Sequence, residues 1–407
     1  MKVLQVLSGN AWGGGSVVVL AITRALIERG DEVWVFTYEA ETGRRFAAAG
    51  AKIVRPRFWL ESIHPLDAVN LFSLWRLCRR EKFDLVATHT SKGGFLGRLA
   101  ARLAGAPNIV HHAHGFAFNK VLPPLTRRFY IALERFAARA GDFIISVNDE
   151  HCSMAVELGI EGPERIRTIH NGIDVGAFAV PDRTAVRKHL GFGESQLLIG
   201  AVGRLAPQKG YVYLIQAFHL LSGLFPSARL VIVGTGPLAN ELNGEAHRLG
   251  VADRVDFLGF RRDIPELLAA FDVYAQPSLW EGHSISLIEA LAAGRAIVAS
   301  DIDGNREVVD HGKTGLLVKP ADPETLASGI TKLLTDPALA RQLAANARRA
   351  AIVRFSQESM VRQNLDAYDW VRASPKRKRT WAGKNEVHTG RTVFATVDKT
   401  FEEGGRG

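Results

Sequence analysis

The chain is expected to fold as α/β: two Rossmann-like, doubly wound domains that face each other across a cleft. Three observations predict this. Short apolar runs alternate with helical patterns from the first residue, as in a parallel sheet wound with helices. A second series of the same kind begins near residue 197, after a stretch with no strand pattern. At 407 residues the chain can bury two sizeable cores.

The first series places strands at 2–7, 31–37, 51–54, 83–88, 108–113, 142–147 and 165–169, with helices between several of them, notably 16–29 and 92–104. The unbroken apolar run Phe143–Val147 suits a strand covered on both faces. Residues 174–195 hold Pro181, Gly191 and Gly193 and no clear strand, so the hinge is expected there. The second series places strands at 197–202, 229–233, 254–258, 272–276, 296–300 and 315–318. Residues 323–352 read as helices and 357–372 as a last helix. The expected division is therefore 1–178, 179–356 and a terminal helix 357–373 that packs back on the first domain. The basic, glycine-rich tail 374–407 is expected to be disordered, and its cluster Pro375–Arg379 reads as solvated rather than lipid-bound.

Composition narrows the class. The hydrophobic fraction of 47% and charged fraction of 23% are those of a soluble globular protein. No apolar run approaches the length of roughly 18 residues that spans a bilayer. The only cysteines, Cys78 and Cys152, lie far apart in helical patterns, which argues against a disulfide framework and fits a reducing cytoplasm. The net charge of +9 is uneven: residues 1–178 carry +5, residues 179–373 carry none and residues 374–407 carry +4. A basic first half calls for an anionic partner, such as a phosphorylated acceptor or an acidic membrane face. No nucleic-acid motif accompanies the charge, so no nucleic-acid partner is expected.

The most informative stretch is Trp280–Gly294. Ser284 reads as a helix N-cap and Gly294 as the stop, with Ile285, Ile288, Leu291 and Ala292 as the buried stripe. Glu281 then lies in the loop before the helix and Glu289 more than a turn inside it. The amides of His283, Ser284 and Ile285 would point out of the helix N-terminus, where an anion is favoured. Two carboxylates flanking a phosphate-binding helix suit a ligand with hydroxyls at both ends and phosphate between, as in a sugar nucleotide. A capped surface helix with two solvated glutamates is the plainer alternative.

Other stretches fit the same ligand. Three glycines, Gly13, Gly14 and Gly15, join the first strand to its helix and would let backbone approach a phosphate or sugar. Their spacing is not the dinucleotide fingerprint, which disfavours an oxidoreductase. The turn Gly203-Arg204-Leu205-Ala206-Pro207-Gln208-Lys209-Gly210 sets two cations at a strand end, a plausible diphosphate clamp. In His111-His112-Ala113-His114 the alternation puts His112 and His114 on one face. With no neighbouring carboxylate or cysteine to complete a metal set, His114 reads as a hydrogen-bonding group at a strand tip. Helix 123–140 aligns Leu125, Phe129, Leu133, Phe136 and Ala140 beside a stripe of Arg128, Arg135 and Arg139. That pattern suits either a core helix with a solvated arginine face or one resting on an anionic membrane.

Taken in order, these motifs, with Asn171-Gly172-Ile173-Asp174, Asp301, Gly304-Asn305, Glu307 and Gly315–Val318, resemble a family-4 retaining glycosyltransferase of the two-domain GT-B type. The resemblance runs from residue 1 to about 372 and is strongest to bacterial capsule, exopolysaccharide and O-antigen enzymes. It implies that Glu289 holds the ribose and that Arg204 and Lys209 hold the diphosphate. It also implies that Glu281 and His114 meet the donor sugar near the reacting carbon, and that Gly14 and Gly15 close over phosphate and acceptor. The implied donor is a nucleoside-diphosphate sugar, most often UDP-linked, with no metal and no cofactor beyond it. The implied acceptor is a lipid-linked or oligosaccharide chain on the inner membrane face. One departure stands out: many members have Glu-Gly-Phe-Gly where this chain has Glu281-Gly282-His283-Ser284, so His283 is expected to alter the donor-sugar contact. A sugar-nucleotide epimerase and an inactive nucleotide-sugar-binding scaffold are the alternatives.

Overall fold

The structure, a computed structural model, describes residues 1–7, 12–60, 63–116, 118, 122–179 and 182–374. Ser8–Ala11 of the glycine loop, Pro181 of the expected hinge and the tail from Pro375 lie outside the described residues.

Two parallel sheets form. The first is built from β1 (Lys2–Val6), β2 (Glu32–Phe36), β3 (Lys52–Val54), β4 (Leu85–His89), β5 (Ile109–Ala113), β6 (Phe143–Ser146) and β7 (Ile166–Thr168). Its strand order is β3-β2-β1-β4-β5-β6-β7. Between these strands run α1 (Gly14–Glu28), α2 (Ala40–Ala48), α3 (Asp67–Glu81), α4 (Ser91–Ala104), α5 (Pro124–Ala138) and α6 (Asp149–Glu157). After α7 (Arg183–His189), the second sheet takes β8 (Leu197–Val202), β9 (Ala228–Val233), β10 (Val255–Phe257), β11 (Val273–Gln276), β12 (Ala296–Ser300) and β13 (Leu316–Val318), ordered β10-β9-β8-β11-β12-β13. Its helices are α8 (Tyr211–Leu221), α9 (Ala239–Arg248), α10 (Ile264–Ala270), α11 (Ile285–Ala292), α12 (Asp303–Arg306), α13 (Pro323–Thr335) and α14 (Pro337–Arg354). The chain ends in α15 (Gln357–Ala373).

Both sheets are covered on both faces, which is why their strands are apolar without alternation. One side of the first sheet packs on α1 and α15 through Val18, Ile22, Met360 and Tyr368. The other side packs on α3 and α4 through Leu74, Leu77, Leu96 and Ala100. In each sheet the winding reverses beside the first strand, between β1 and β4 and between β8 and β11. Such a reversal opens a crevice at the strands' carboxyl ends, where α/β proteins bind ligands.

One expectation is corrected and one open reading is narrowed. Gly13 is the N-cap of α1, and Gly14 and Gly15 already belong to its first turn. Gly14 meets the second half of the molecule there: a Cβ on it would stand 2.8 Å from the Ile285 side chain. The stripe expected along α5 does not all face inward. Ile131, Ala137 and Ala138 are its buried residues, while Leu125, Phe129 and Phe136 are exposed by 78%, 53% and 43%.

Asn171–Asp174 gains a structural account. Gly172 lies against the Ser356 carbonyl, where a Cβ would come to 2.4 Å. Ile173 donates its amide to Phe355 O (2.9 Å) and accepts from the Gln357 amide (2.9 Å), and Asp174 caps the turn that follows. The passage out of the first sheet is thus bonded to the passage back into α15.

Candidate active site

The loops at the two reversals face each other. After β11, Ser284 caps α11 by accepting from the Leu287 amide (3.4 Å), and Gly294 ends the helix at φ +61°. Ile288, Leu291 and Ala292 are buried, and Ile285 packs toward Gly14. The amides of His283, Ser284 and Ile285 make no hydrogen bond among the described residues, so they stand open at the helix N-terminus.

Glu281 is the hub of this half. Its Oε1 accepts from Lys209 Nζ (2.6 Å), Ser278 Oγ (2.8 Å) and Gln276 Nε2 (3.0 Å), and its Oε2 from Gln208 Nε2 (3.2 Å). Lys209 and Glu281 therefore form a largely buried ion pair, a link that their separate places in the sequence did not predict. Arg204, in the same turn, is exposed and makes no ion pair among the described residues. Glu289 sits on the second turn of α11 with no hydrogen bond to its carboxyl among the described residues. Burial pushes that carboxyl up to about 7, against the pull of Lys209.

From the first half, His114 follows β5 directly. Its backbone oxygen lies where a Cβ on Gly282 would come within 2.1 Å, so any side chain at 282 would force the halves apart. A Cβ on Gly15 would stand 3.8 Å from the His114 ring. Gly14, Gly15, His114, Gly282 and Ile285 thus meet at one seam. Burial takes His114 down to about 4, so the ring is neutral at physiological pH. His112 and His114 do share a face, stacked with His89, whereas His111 turns away to Thr88 Oγ1 (3.0 Å).

His283 is placed differently from the expectation. Its ring stacks on His170 (4.9 Å) and meets the edge of Phe355 (5.4 Å), and neither ring nitrogen has a partner. The ring is buried in the interdomain seam, and burial drives it well below the usual histidine range. What the residue offers toward the cleft is its backbone.

Asn148 and His170 escaped the sequence reading, and Asn171 and Glu307 stood in it only as motif members. Asn148 Nδ2 donates to Gly282 O (3.0 Å) and Asn171 Nδ2 to His283 O (3.0 Å), so two asparagines of the first half hold the 281–284 loop of the second. Glu307 reaches across to accept from the Asp149 amide (2.9 Å) and from His170 Nε2 (2.7 Å). Burial alone would raise its carboxyl, but His170 and the α6 amides outweigh that and hold it below the usual range.

Comparison with known proteins identifies the scaffold. Residues 182–350 match the model of the glycosyl transferases group 1, and residues 12–176 that of Glycosyltransferase Family 4. The chain is 34% identical over 307 residues to the UDP-Gal:alpha-D-GlcNAc-diphosphoundecaprenol alpha-1,3-galactosyltransferase of Escherichia coli, covering 74% of this chain and 79% of that protein. The chain belongs to this glycosyltransferase family. The D-inositol 3-phosphate glycosyltransferase of Xylanimonas cellulosilytica is 32% identical, with 89% of this chain and 92% of that protein covered. Among solved structures, the glycosyltransferase superimposes on Anabaena HepE in complex with UDP and glucose with a TM-score of 0.79 and 25% identity, over 91% of this chain and 99% of that one. WaaG, a glycosyltransferase involved in lipopolysaccharide biosynthesis, shares the fold at a TM-score of 0.76 and 21% identity, over 90% of this chain and 99% of that one. The architecture is thus GT-B, and the epimerase alternative finds no support among these relatives.

Proposed function

We propose that this glycosyltransferase moves a sugar from a UDP-sugar to a lipid-linked sugar acceptor, with retention and without a metal ion, at the inner membrane face. One observation carries the reading: the Glu281–Lys209 pair and the open α11 amides at one reversal stand opposite His114, Gly14 and Gly15 at the other. In this reading Glu289 takes the ribose hydroxyls, while Arg204, Lys209 and the α11 amides take the diphosphate. Glu281 and His114 flank the donor sugar. As the glycosidic bond breaks, the sugar becomes oxocarbenium-like and charge grows on the departing diphosphate. Fixed cations and helix amides aimed at that charge lower the barrier without reorganising. They do the work that a divalent cation does elsewhere, so turnover is expected to survive a chelator. The leaving phosphate takes the acceptor proton on the same face, which retains the anomeric configuration. The expected domain division at residues 178 and 356 remains part of the proposal.

The acceptor assignment rests on the E. coli relative, which acts on a diphosphoundecaprenol substrate, and on the exposed face of the first half. Leu125, Phe129 and Phe136 of α5 project to solvent beside exposed Arg128, Arg135 and Arg139, and Leu66, Val69 and Phe72 are exposed at and along α3, which packs on α4 as α5 does. No helix among the described residues is long and apolar enough to cross a membrane. Apolar side chains ringed by arginines suit the headgroup region of an anionic bilayer.

The test is release of nucleoside diphosphate from UDP-, GDP- and ADP-sugars, with and without undecaprenyl-linked acceptor, in EDTA. Acceptor-dependent release of UDP in EDTA is expected, and the double variant Leu125→Asp/Phe129→Asp should lose activity on the lipid acceptor in vesicles while keeping it on a water-soluble one. Release without acceptor, a metal requirement, or equal loss on both acceptors would overturn the corresponding part.

Glu289 makes a pH prediction. A carboxyl raised to about 7 is largely neutral at pH 6 and charged at pH 8. The charged form accepts ribose hydroxyl hydrogens more strongly, so donor binding lowers its pKa and, by linkage, affinity rises with pH. UDP-sugar affinity is expected to rise severalfold from pH 6 to 8, and Glu289→Gln should flatten that slope. A slope unchanged in the variant would remove Glu289 from the ribose site.

A further inference from the structure

His114 does not stand alone. Gln5 is a polar residue in the otherwise apolar β1, fully buried, and its Oε1 lies 2.7 Å from His89 Nε2. His89, the last residue of β4 and equally buried, places Nδ1 3.2 Å from His114 Nε2. The opposite nitrogen of His114, Nδ1, makes no hydrogen bond among the described residues and is not sealed from solvent. It lies 3.8 Å from where a Cβ on Gly15 would stand, on the seam between the halves.

We propose that Gln5 and His89 are positioning residues that fix the tautomer of His114, so that its Nδ1 presents a lone pair to the cleft and accepts a hydrogen from a donor-sugar hydroxyl. The reasoning is one of hydrogen count. A neutral imidazole has one N–H and one lone pair, so a chain of them must run in one direction. A side-chain oxygen can only accept, so His89 Nε2 carries the hydrogen and donates to Gln5. His89 Nδ1 is then the lone pair and receives the Nε2 hydrogen of His114. That leaves His114 Nδ1 bare. Burial keeps both rings neutral, which the counting requires. Turning the Gln5 amide over would reverse the whole chain and put a hydrogen on Nδ1, so one buried amide decides whether the site asks the sugar for a donor or an acceptor. In the structure Gln5 Oε1 faces His89 and Gln5 Nε2 is buried without a hydrogen-bond partner among the described residues, so the tautomer of His114 reads out which way the amide lies.

The proposal rests on His114 flanking the donor sugar, and the tests separate the two. With full-length enzyme carrying ¹⁵N-labelled histidine, His114 should show a bare-nitrogen shift at Nδ1 and a protonated one at Nε2. The reverse pattern overturns the proposal whatever the kinetics. In kinetics, UDP-sugars with each hydroxyl in turn replaced by hydrogen or fluorine should include one position where both replacements cost the same, because fluorine cannot donate. Gln5→Leu should lower kcat/KM by about five- to tenfold with the full donor. It should do nothing further with the analogue lacking that hydroxyl, and UDP affinity should be unmoved. Gln5→Glu, which only accepts once ionised, should regain the wild-type rate as pH rises, along a limb the wild type lacks. Fluorine tolerated better than hydrogen at that position, or equal losses in Gln5→Leu with both donors, overturns the relay. If His114→Ala leaves transfer unchanged, the placement of His114 fails instead.

Discussion

Lys209→Ala is expected to lower kcat by about 10²–10³-fold, the usual loss when a preorganised charge at a developing anion is removed. The Lys209 ammonium is held in place by its pairing with Glu281 Oε1 at 2.6 Å. The fold should tolerate the change. Breaking a fully buried pair costs about 3–5 kcal/mol, but Glu281 keeps Ser278, Gln276 and Gln208 as donors, so the loss should be smaller. Glu281→Ala is a poorer probe, because it takes the acceptor from Lys209 Nζ and Ser278 Oγ, while Gln208 and Gln276 keep Trp280 O and Ser284 Oγ. Glu281→Gln keeps the shape and removes the charge. Steady-state UDP release and a thermal melt on Lys209→Ala decide the matter: a kcat within about threefold of wild type, with an unchanged melt, would take Lys209 out of the diphosphate site.

Gly282→Ala should be nearly as damaging for a different reason. Its new methyl would stand 2.1 Å from the His114 carbonyl oxygen, a backbone atom that no rotamer change can move. The halves must part or the 281–284 loop must shift. A displacement near 1 Å at reacting groups costs about 100-fold in rate. UDP affinity should change less than turnover, because Glu289 and Arg204, assigned to the ribose and diphosphate, lie outside the 281–284 loop. Calorimetry with UDP beside kcat/KM with the full donor gives the split. Wild-type turnover in Gly282→Ala would mean that this contact is absent from the working state.

The strands were legible because burial on both faces writes an unmistakable apolar run, as in Phe143–Val147. Helix α11 was equally plain, since Ser284 and Gly294 mark its ends by chemistry that belongs to caps. Gly14, Gly15, His114, Lys209 and Glu281, singled out in the sequence, lie at the two reversals. What stayed hidden was pairing across sequence distance. Lys209 and Glu281 each looked like an independent ligand group, and nothing local says that 72 residues fold back to join them. His283 was read from its neighbours in the loop, but His170 and Phe355 decided where its ring went. Gln5 left a trace, one amide in an apolar strand, and a buried polar side chain calls for a partner. The exposed face of α5 was ambiguous because an amphipathic pattern does not say which side is wet.

The double passage between the sheets also sets how the molecule can move. The outgoing chain at Ile173 and the returning chain at Phe355–Gln357 are hydrogen-bonded to each other, while α15 beyond them is anchored by Met360 and Tyr368 in the first sheet's core. A single tether would let one half swivel about three axes relative to the other. Two tethers fixed side by side cancel the swivel and leave essentially one rotation, opening and shutting about the line between them. Rotation about that line would carry Gly282 along one arc that ends at the same oxygen of His114. The register of the two halves is then set by the route of the backbone.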